Sequence, residues 1–258
     1  MKKLIIANWK MNPQTTDEAR RLVASFEHRM HAVSDRTEVV VCAPFIFIPP
    51  LSHYIHEVKI GSQNISWADS GSLTGEISGG QLAGFNVKYV ILGHSERRMY
   101  LGETDSMVNA KVFAAFSHKI IPIVCLGGEE GAIMGEMKTL VTKQFIKITK
   151  DLSKQQIEKI VYVYEPIWAI STMKRSMPAT GEHALELITH IYHLLEKKIG
   201  KAAHNVRVLY GGTVNKDNVH EYAKYPKIDG ALVGAASLDP DNFWQIVSEF
   251  NRESIHHV

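Results

Sequence analysis

Glu165 stands at the end of the apolar run Val161-Tyr162-Val163-Tyr164 and is followed by Pro166, whose ring locks φ. A carboxylate held there could move a proton, or it could cap a strand end through an ion pair. A second apolar run enters Gly93-His94-Ser95-Glu96-Arg97-Arg98. A short helix beginning at Ser95 would turn its N-terminal dipole on His94 and favour the neutral imidazole. Such a ring can donate a hydrogen bond to a substrate carbonyl without surrendering a full proton, with Glu96 and Arg97 as charges behind it. Read without chemistry, the same cluster is a solvated helix start. A third run ends in Asn8-Trp9-Lys10, which would put an amide and an ammonium beside a bound anion, or simply a lysine in solvent. Gly211-Gly212-Thr213 and Gly234-Ala235-Ala236 close two further runs, and their small residues let backbone N–H groups approach an anion. Pro166 to Lys174 is too apolar for an exposed turn and suits a lid that excludes water.

These groups can meet only if the elements before them end at one place. Short Val- and Ile-rich runs recur at 4–7, 39–42, 59–63, 89–92, 120–126, 161–164, 206–210 and 230–233. Most are too continuous to be half-exposed, as expected of parallel strands covered on the outside by helices. Helical periodicity occupies 16–30, 105–118, 139–152, 182–199, 216–224 and 241–251. Strict alternation without a Pro-rich or Ser-rich linker predicts one α/β domain over residues 1–258, and eight strands favour a closed barrel. An open dinucleotide-binding sheet would want a Gly-rich turn after its first strand, and residues 8–12 contain no glycine. In a barrel the chemistry belongs at the C-terminal strand ends, where all the residues above stand.

The composition sets bounds. A chain of 258 residues with net charge +2 has no global field for nucleic acid or a membrane surface. Cys42 and Cys125 each end an apolar run and read as buried free thiols rather than a disulfide or a metal cluster. The apolar start at Leu4 stops at Asn8, short of a signal or membrane segment, so a cytoplasmic location is expected.

Seven ordered stretches resemble the triosephosphate isomerase family over essentially the whole chain. They are Asn8-Trp9-Lys10-Met11-Asn12, Gln63-Asn64, Leu73-Thr74-Gly75-Glu76, His94 to Arg98, Tyr164 to Ile170, Tyr210-Gly211-Gly212 and Val233-Gly234. The resemblance implies a TIM barrel that interconverts dihydroxyacetone phosphate and D-glyceraldehyde 3-phosphate in glycolysis and gluconeogenesis, with no metal or organic cofactor. It implies Glu165 as base, His94 as electrophile, Lys10 and Asn8 as the charged and positioning pair, and Glu96 as the carboxylate near Lys10. That division between a Glu base, a neutral His and lid closure is the established one for that family. Phosphate would meet Asn8, Lys10 and the backbone N–H groups of Ser171, Thr213, Gly234 and Ala235. The lid would comprise Pro166, Ile167, Trp168, Ala169, Ile170, Ser171, Thr172, Met173, Lys174, Arg175 and Ser176. The segment 65–78, with Thr74, Gly75 and Glu76 at its tip, would enter a partner subunit near Asn8 and Lys10, making a homodimer.

The chain departs from the family pattern at several points. Ser171 and Met173 stand where glycines are usual at the lid tip, Thr213 where serine is usual and Ala235 where glycine is usual. Gly128 looks like an insertion ahead of Glu129, a carboxylate that could partner the Trp168 indole, and 131–135 lacks the usual arginine. Three rival readings differ in substrate or class: an isomerase of a longer sugar phosphate, a non-catalytic phosphometabolite-binding protein, and a Schiff-base aldolase built on Lys10.

Overall fold

A computed structural model describes residues 1–33, 35–128, 134–166 and 179–254. Each apolar run becomes a strand: β1 (Lys3–Asn8), β2 (Thr37–Ala43), β3 (Lys59–Ser62), β4 (Tyr89–Leu92), β5 (Ile121–Gly128), β6 (Val161–Pro166), β7 (Val208–Tyr210) and β8 (Gly230–Val233). All neighbours are parallel, and β8 pairs with β1 through Leu4↔Gly230 to Ala7↔Val233, closing the barrel. The expected (β/α)8 architecture is therefore the observed one.

Closure divides each strand between two cores, because successive side chains point to opposite faces. Leu4, Ile6, Val40, Cys42, Ile91, Ile123, Cys125, Val163, Leu209 and Leu232 pack inside the barrel. Ile5, Ala7, Val39, Val41, Tyr162, Tyr164, Tyr210 and Val233 face outward against the helices. Burial pushes the Cys42 thiol far up; burial first, and then the charge of Glu165, does the same for Cys125. Both are free and buried, as expected, and thiols so raised are inert.

Around the strands run α1 (Thr16–Arg29), α2 (Ile48–Leu51), α3 (Gly79–Ala83), α4 (Ser95–Leu101), α5 (Asp105–Ser117), α6 (Met134–Ile148), α7 (Lys154–Lys159), α8 (Gly181–Ile199), α9 (His220–Ala223) and α10 (Pro240–Glu253). Two of the expected helices are corrected. The helix expected over 139–152 begins earlier, at Met134, and ends at Ile148, whose carbonyl is taken by the Asn109 side chain at 2.7 Å. That expected over 216–224 shrinks to the four residues of α9. Asn215 and Asn218 explain the loss: their side-chain oxygens accept the N–H groups of Asp217, Asn218 and Asn215, offering the backbone a local alternative to the helix. Helices α3 and α7 had a signal that periodicity passes over. Ser78 with Gln81, and Ser153 with Gln156, are capping boxes in which the two residues satisfy each other's backbone N–H.

Candidate active site

The inward parity that fills the barrel also builds the site. Continuing Leu4, Ile6 gives Asn8; continuing Val161, Val163 gives Glu165; Leu209 leads to Gly211 and Leu232 to Gly234. The next inward layer above the core is thus an amide, a carboxylate and two glycines. These line one cavity of about 340 Å³ together with Lys10, His94, Gly212, Thr213 and Ala235. The glycines leave the space open. A Cβ on Gly211 would come within 3.0 Å of Glu165 Cγ, and one on Gly234 would touch Lys10 Cε at 3.4 Å.

His94 N-caps α4: its Nδ1 accepts the Glu96 N–H at 3.2 Å. An accepting Nδ1 carries no proton, so the ring's proton sits on Nε2, which lies 3.1 Å from Glu165 Oε1. Glu165 is buried, and its Oε2 accepts the Ser95 N–H at 2.9 Å. Oε1 has no hydrogen bond of good geometry among the described residues, because the imidazole approaches it off line. The carboxylate therefore presents one anchored oxygen and one with open lone pairs.

Lys10 adopts a left-handed backbone, φ 53°, a conformation that costs a non-glycine residue about 1–2 kcal/mol. Three contacts hold it there. Its N–H donates to Asn8 Oδ1 at 3.1 Å, its carbonyl accepts Gln63 Nε2 at 2.8 Å, and its ammonium pairs with Glu96 Oε1 at 2.6 Å. The strain turns the ammonium over the barrel mouth instead of out along the strand. Glu96 itself lines a smaller crevice beside the main cavity, with Gln63 and Arg97.

The loop before His94 is fixed by a buried cluster that sequence reading missed. Glu103, 3 % exposed, accepts the Gly93 N–H on Oε2 at 2.9 Å and the Lys111 ammonium on Oε1, with Arg97 Nε at 3.3 Å. Lys111, 1 % exposed, also donates to Asn64 Oδ1 at 2.8 Å, and Arg98 Nε holds the Gly93 carbonyl at 2.6 Å. Burial alone would raise the Glu103 carboxyl; Lys111 and Arg97 outweigh it and leave the group below its ordinary 4.5. A folded-state value so depressed contributes stability that is present above pH 4.5 and lost as pH falls through the lower folded value. Glu103→Gln leaves a buried ammonium unpaired and should cost roughly 3–5 kcal/mol at pH 7. Urea midpoints from pH 7 down to pH 3 check this; the variant should also lose less on acidification, and equal midpoints would refute the assignment. Nothing local in Gly102-Glu103-Thr104 advertises such a role.

Three polar lining residues were also missed, Asn215, Asp239 and Asn242, besides the apolar Val214 and Leu232. Asp239 caps α10, accepting the Asp241 and Asn242 N–H groups, a signal legible in Asp239-Pro240. Pro166 is the last residue of β6, while 167–176 of the expected lid, including Ser171, lie outside the described residues. So does Glu129. Gly128, expected as an insertion, extends β5 opposite Pro166. Gly127 beside it, φ 135°, lets β5 approach the Glu165 carbonyl so closely that a Cβ would come within 2.1 Å of that oxygen. At 65–78 the tip is a turn with Glu76 N–H on the Leu73 carbonyl at 3.0 Å, and Gly75 at φ 92° supplies the positive angle that turn requires. Thr74 and Gly75 are exposed.

Comparison with known proteins agrees with this geometry. The family described as Triosephosphate isomerase matches residues 3–250. The triosephosphate isomerase of Moorella thermoacetica is 42% identical over 254 residues, covering 96% of this chain and 99% of that one. That of Dictyoglomus turgidum is 39% identical over 250 residues, covering 95% and 98%. The solved triosephosphate isomerase of Bartonella henselae superposes with a TM-score of 0.84 at 29% identity, over 97% of this chain and 99% of that one. With relatives this similar along nearly its whole length, and a carboxylate, an imidazole and an ammonium gathered at the mouth of a closed eight-stranded barrel, the chain belongs to the triosephosphate isomerase family.

Proposed function

We propose that residues 1–258 act as one barrel domain that interconverts dihydroxyacetone phosphate and D-glyceraldehyde 3-phosphate, with Glu165 as the base. As a member of its family the chain is an aldose–ketose isomerase of phosphorylated trioses. Glu165 takes the proton from the carbon beside the carbonyl, the C–H electron pair forms the enediolate, the hydroxyl proton passes from one enediolate oxygen to the other beside His94 Nε2, and the Glu165 carboxyl returns its proton to the adjacent carbon. His94 Nε2–H and the Lys10 ammonium meet the charge that develops on the enediolate oxygens, with Asn8 fixing Lys10 and Glu96 balancing it. Atoms and electrons balance within the substrate, so the step calls for no co-reactant. Phosphate binds at the backbone N–H groups of Thr213, Gly234 and Ala235, which survive the added methyls of Thr213 and Ala235. The lid that the family resemblance implies, with its Ser171 N–H, falls beyond Pro166 outside the described residues; its chemical purpose would be to exclude water, since an enediolate left open to water can eliminate phosphate.

The observation that carries this reading is the 3.1 Å approach of His94 Nε2 to Glu165 Oε1 in the cavity that the two glycine turns share. A coupled assay in both directions tests it. Turnover of both triose phosphates is expected, and turnover of tetrose phosphates without trioses would transfer the site to a longer sugar. The Lys10–Glu96 ion pair argues against a free amine poised for Schiff-base chemistry; failure of borohydride to trap substrate is the expected result.

The same reading includes a homodimer in the cytoplasm. Large apolar side chains lie exposed after three consecutive strands: Met11 at 86%, Ile46 at 75% and Trp67 at 44%. Apolar exposure gathered at one rim favours a covering partner, and the turn at Thr74, Gly75 and Glu76 is the projection that would provide it. Sedimentation should give twice the mass of one chain, and a fully active monomer would remove the dimer from the mechanism. No described helix is long and apolar enough to cross a membrane.

A further inference from the structure

We infer that Tyr222 of α9 is a positioning residue for the turn Gly211-Gly212-Thr213, acting through Tyr210. The two rings are stacked, with centroids 4.1 Å apart and planes 20° from parallel, and both are fully buried. The turn rests on the upper ring. A Cβ on Gly212 would come 2.1 Å from the Tyr210 hydroxyl oxygen and 2.5 Å from the ring carbon bearing it, so a displaced ring displaces a turn that lines the cavity. Among the described residues Tyr210 makes no well-formed hydrogen bond of its own, its hydroxyl being acted on by the Tyr222 hydroxyl and the Ala179 carbonyl. Tyr222 does: its hydroxyl donates to the Ala179 carbonyl at 2.7 Å, immediately before the Thr180 cap of α8.

The segment carrying Tyr222 is itself tightly seated. A Cβ on Gly181 would fall 2.1 Å from the Glu221 carbonyl, so α8 and α9 meet backbone to backbone. The same segment grips the far end of the turn, where Asn218 Nδ2 donates to the Thr213 carbonyl at 3.0 Å. The near end is held by the strand, through Gly211 N–H on the Tyr164 carbonyl at 2.9 Å. The middle of the turn, at Gly212, therefore depends on the ring beneath it. A stacked aromatic pair holds that ring against tilt more firmly than an aliphatic contact would.

This inference rests on the reading of 211–213 as a phosphate-binding turn, and the test separates the two. Inhibition by inorganic phosphate is measured for the wild type, Tyr222→Phe and Tyr222→Leu. Alongside it, the ratio of kcat/KM on D-glyceraldehyde 3-phosphate to that on phosphate-free D-glyceraldehyde is measured. Tyr222→Phe keeps the stack and loses the hydrogen bond, so the phosphate inhibition constant should rise about threefold; Tyr222→Leu loses both and should raise it about tenfold. The substrate ratio should fall in the same order. A purely structural role would lower the melting temperature and leave inhibition constant and ratio unmoved, which overturns the inference. If Tyr222→Leu does not fold, Tyr222→Phe decides alone. If inorganic phosphate does not inhibit even the wild type, the phosphate reading of the turn fails, and this inference with it.

Discussion

Glu165→Gln should lower kcat by on the order of a hundred- to ten-thousand-fold, the usual worth of a positioned acid–base group, while inhibition by inorganic phosphate stays as it was. The amide matches the carboxylate in size, and its oxygen can still accept the Ser95 N–H that holds Glu165 Oε2 at 2.9 Å. What it lacks is basicity at the second position, where Oε1 has no hydrogen bond among the described residues and lies 3.1 Å from His94 Nε2. Because Gly211 packs against the Glu165 side chain, a residue of equal volume leaves the turn at 211–213 in place. Loss of chemistry without loss of anion binding is therefore the signature of the assigned base. Turnover near the wild-type rate would return Glu165 to a strand-end cap, the competing reading of its sequence.

His94→Gln should reduce kcat by roughly a hundredfold with little change in KM, the effect of removing one oriented donor of about 3 kcal/mol. The present donor is oriented by the backbone: Nδ1 is engaged by the Glu96 N–H, so Nε2–H can point only towards Glu165 and the cavity. A glutamine can offer an N–H, but no ring passes the restraint of the helix start through to it. The variant also gives up the α4 cap, and about 1 kcal/mol of stability should go with it, visible in the urea midpoint. A rise in KM at constant kcat would make His94 a binding contact and would remove it from the stabilisation of the enediolate.

How far these roles can be read from the chain alone follows from the period of a strand. In Val161-Tyr162-Val163-Tyr164-Glu165 and Leu4-Ile5-Ile6-Ala7-Asn8, alternation already decides that the last residue shares a face with the interior core. Eight such runs, separated by helical stretches, leave a closed barrel as the architecture, so its mouth and most of its lining are legible before any coordinate. The start of α4 behind His94 is legible for the same local reason. Periodicity failed where side chains compete with the backbone, as Asn215 and Asn218 do before α9. It was silent where two capping boxes announce short helices, though the signal was present.

The neighbours that hold those groups are of another kind. Lys111 and Asn64 are 47 residues apart, and only the side-by-side packing of β3 and β4 with the segments that follow them brings that ammonium to the amide and to Glu103. Tyr222 lies under Tyr210, and Gln63 under Lys10, through packing of the same kind. Local sequence encodes the direction in which each residue faces, because direction depends on the backbone period within one element. Which residues then touch depends on how the elements pack and on where the close approaches of Gly127, Gly181 and Gly212 allow them to meet, and that the tertiary structure alone decides.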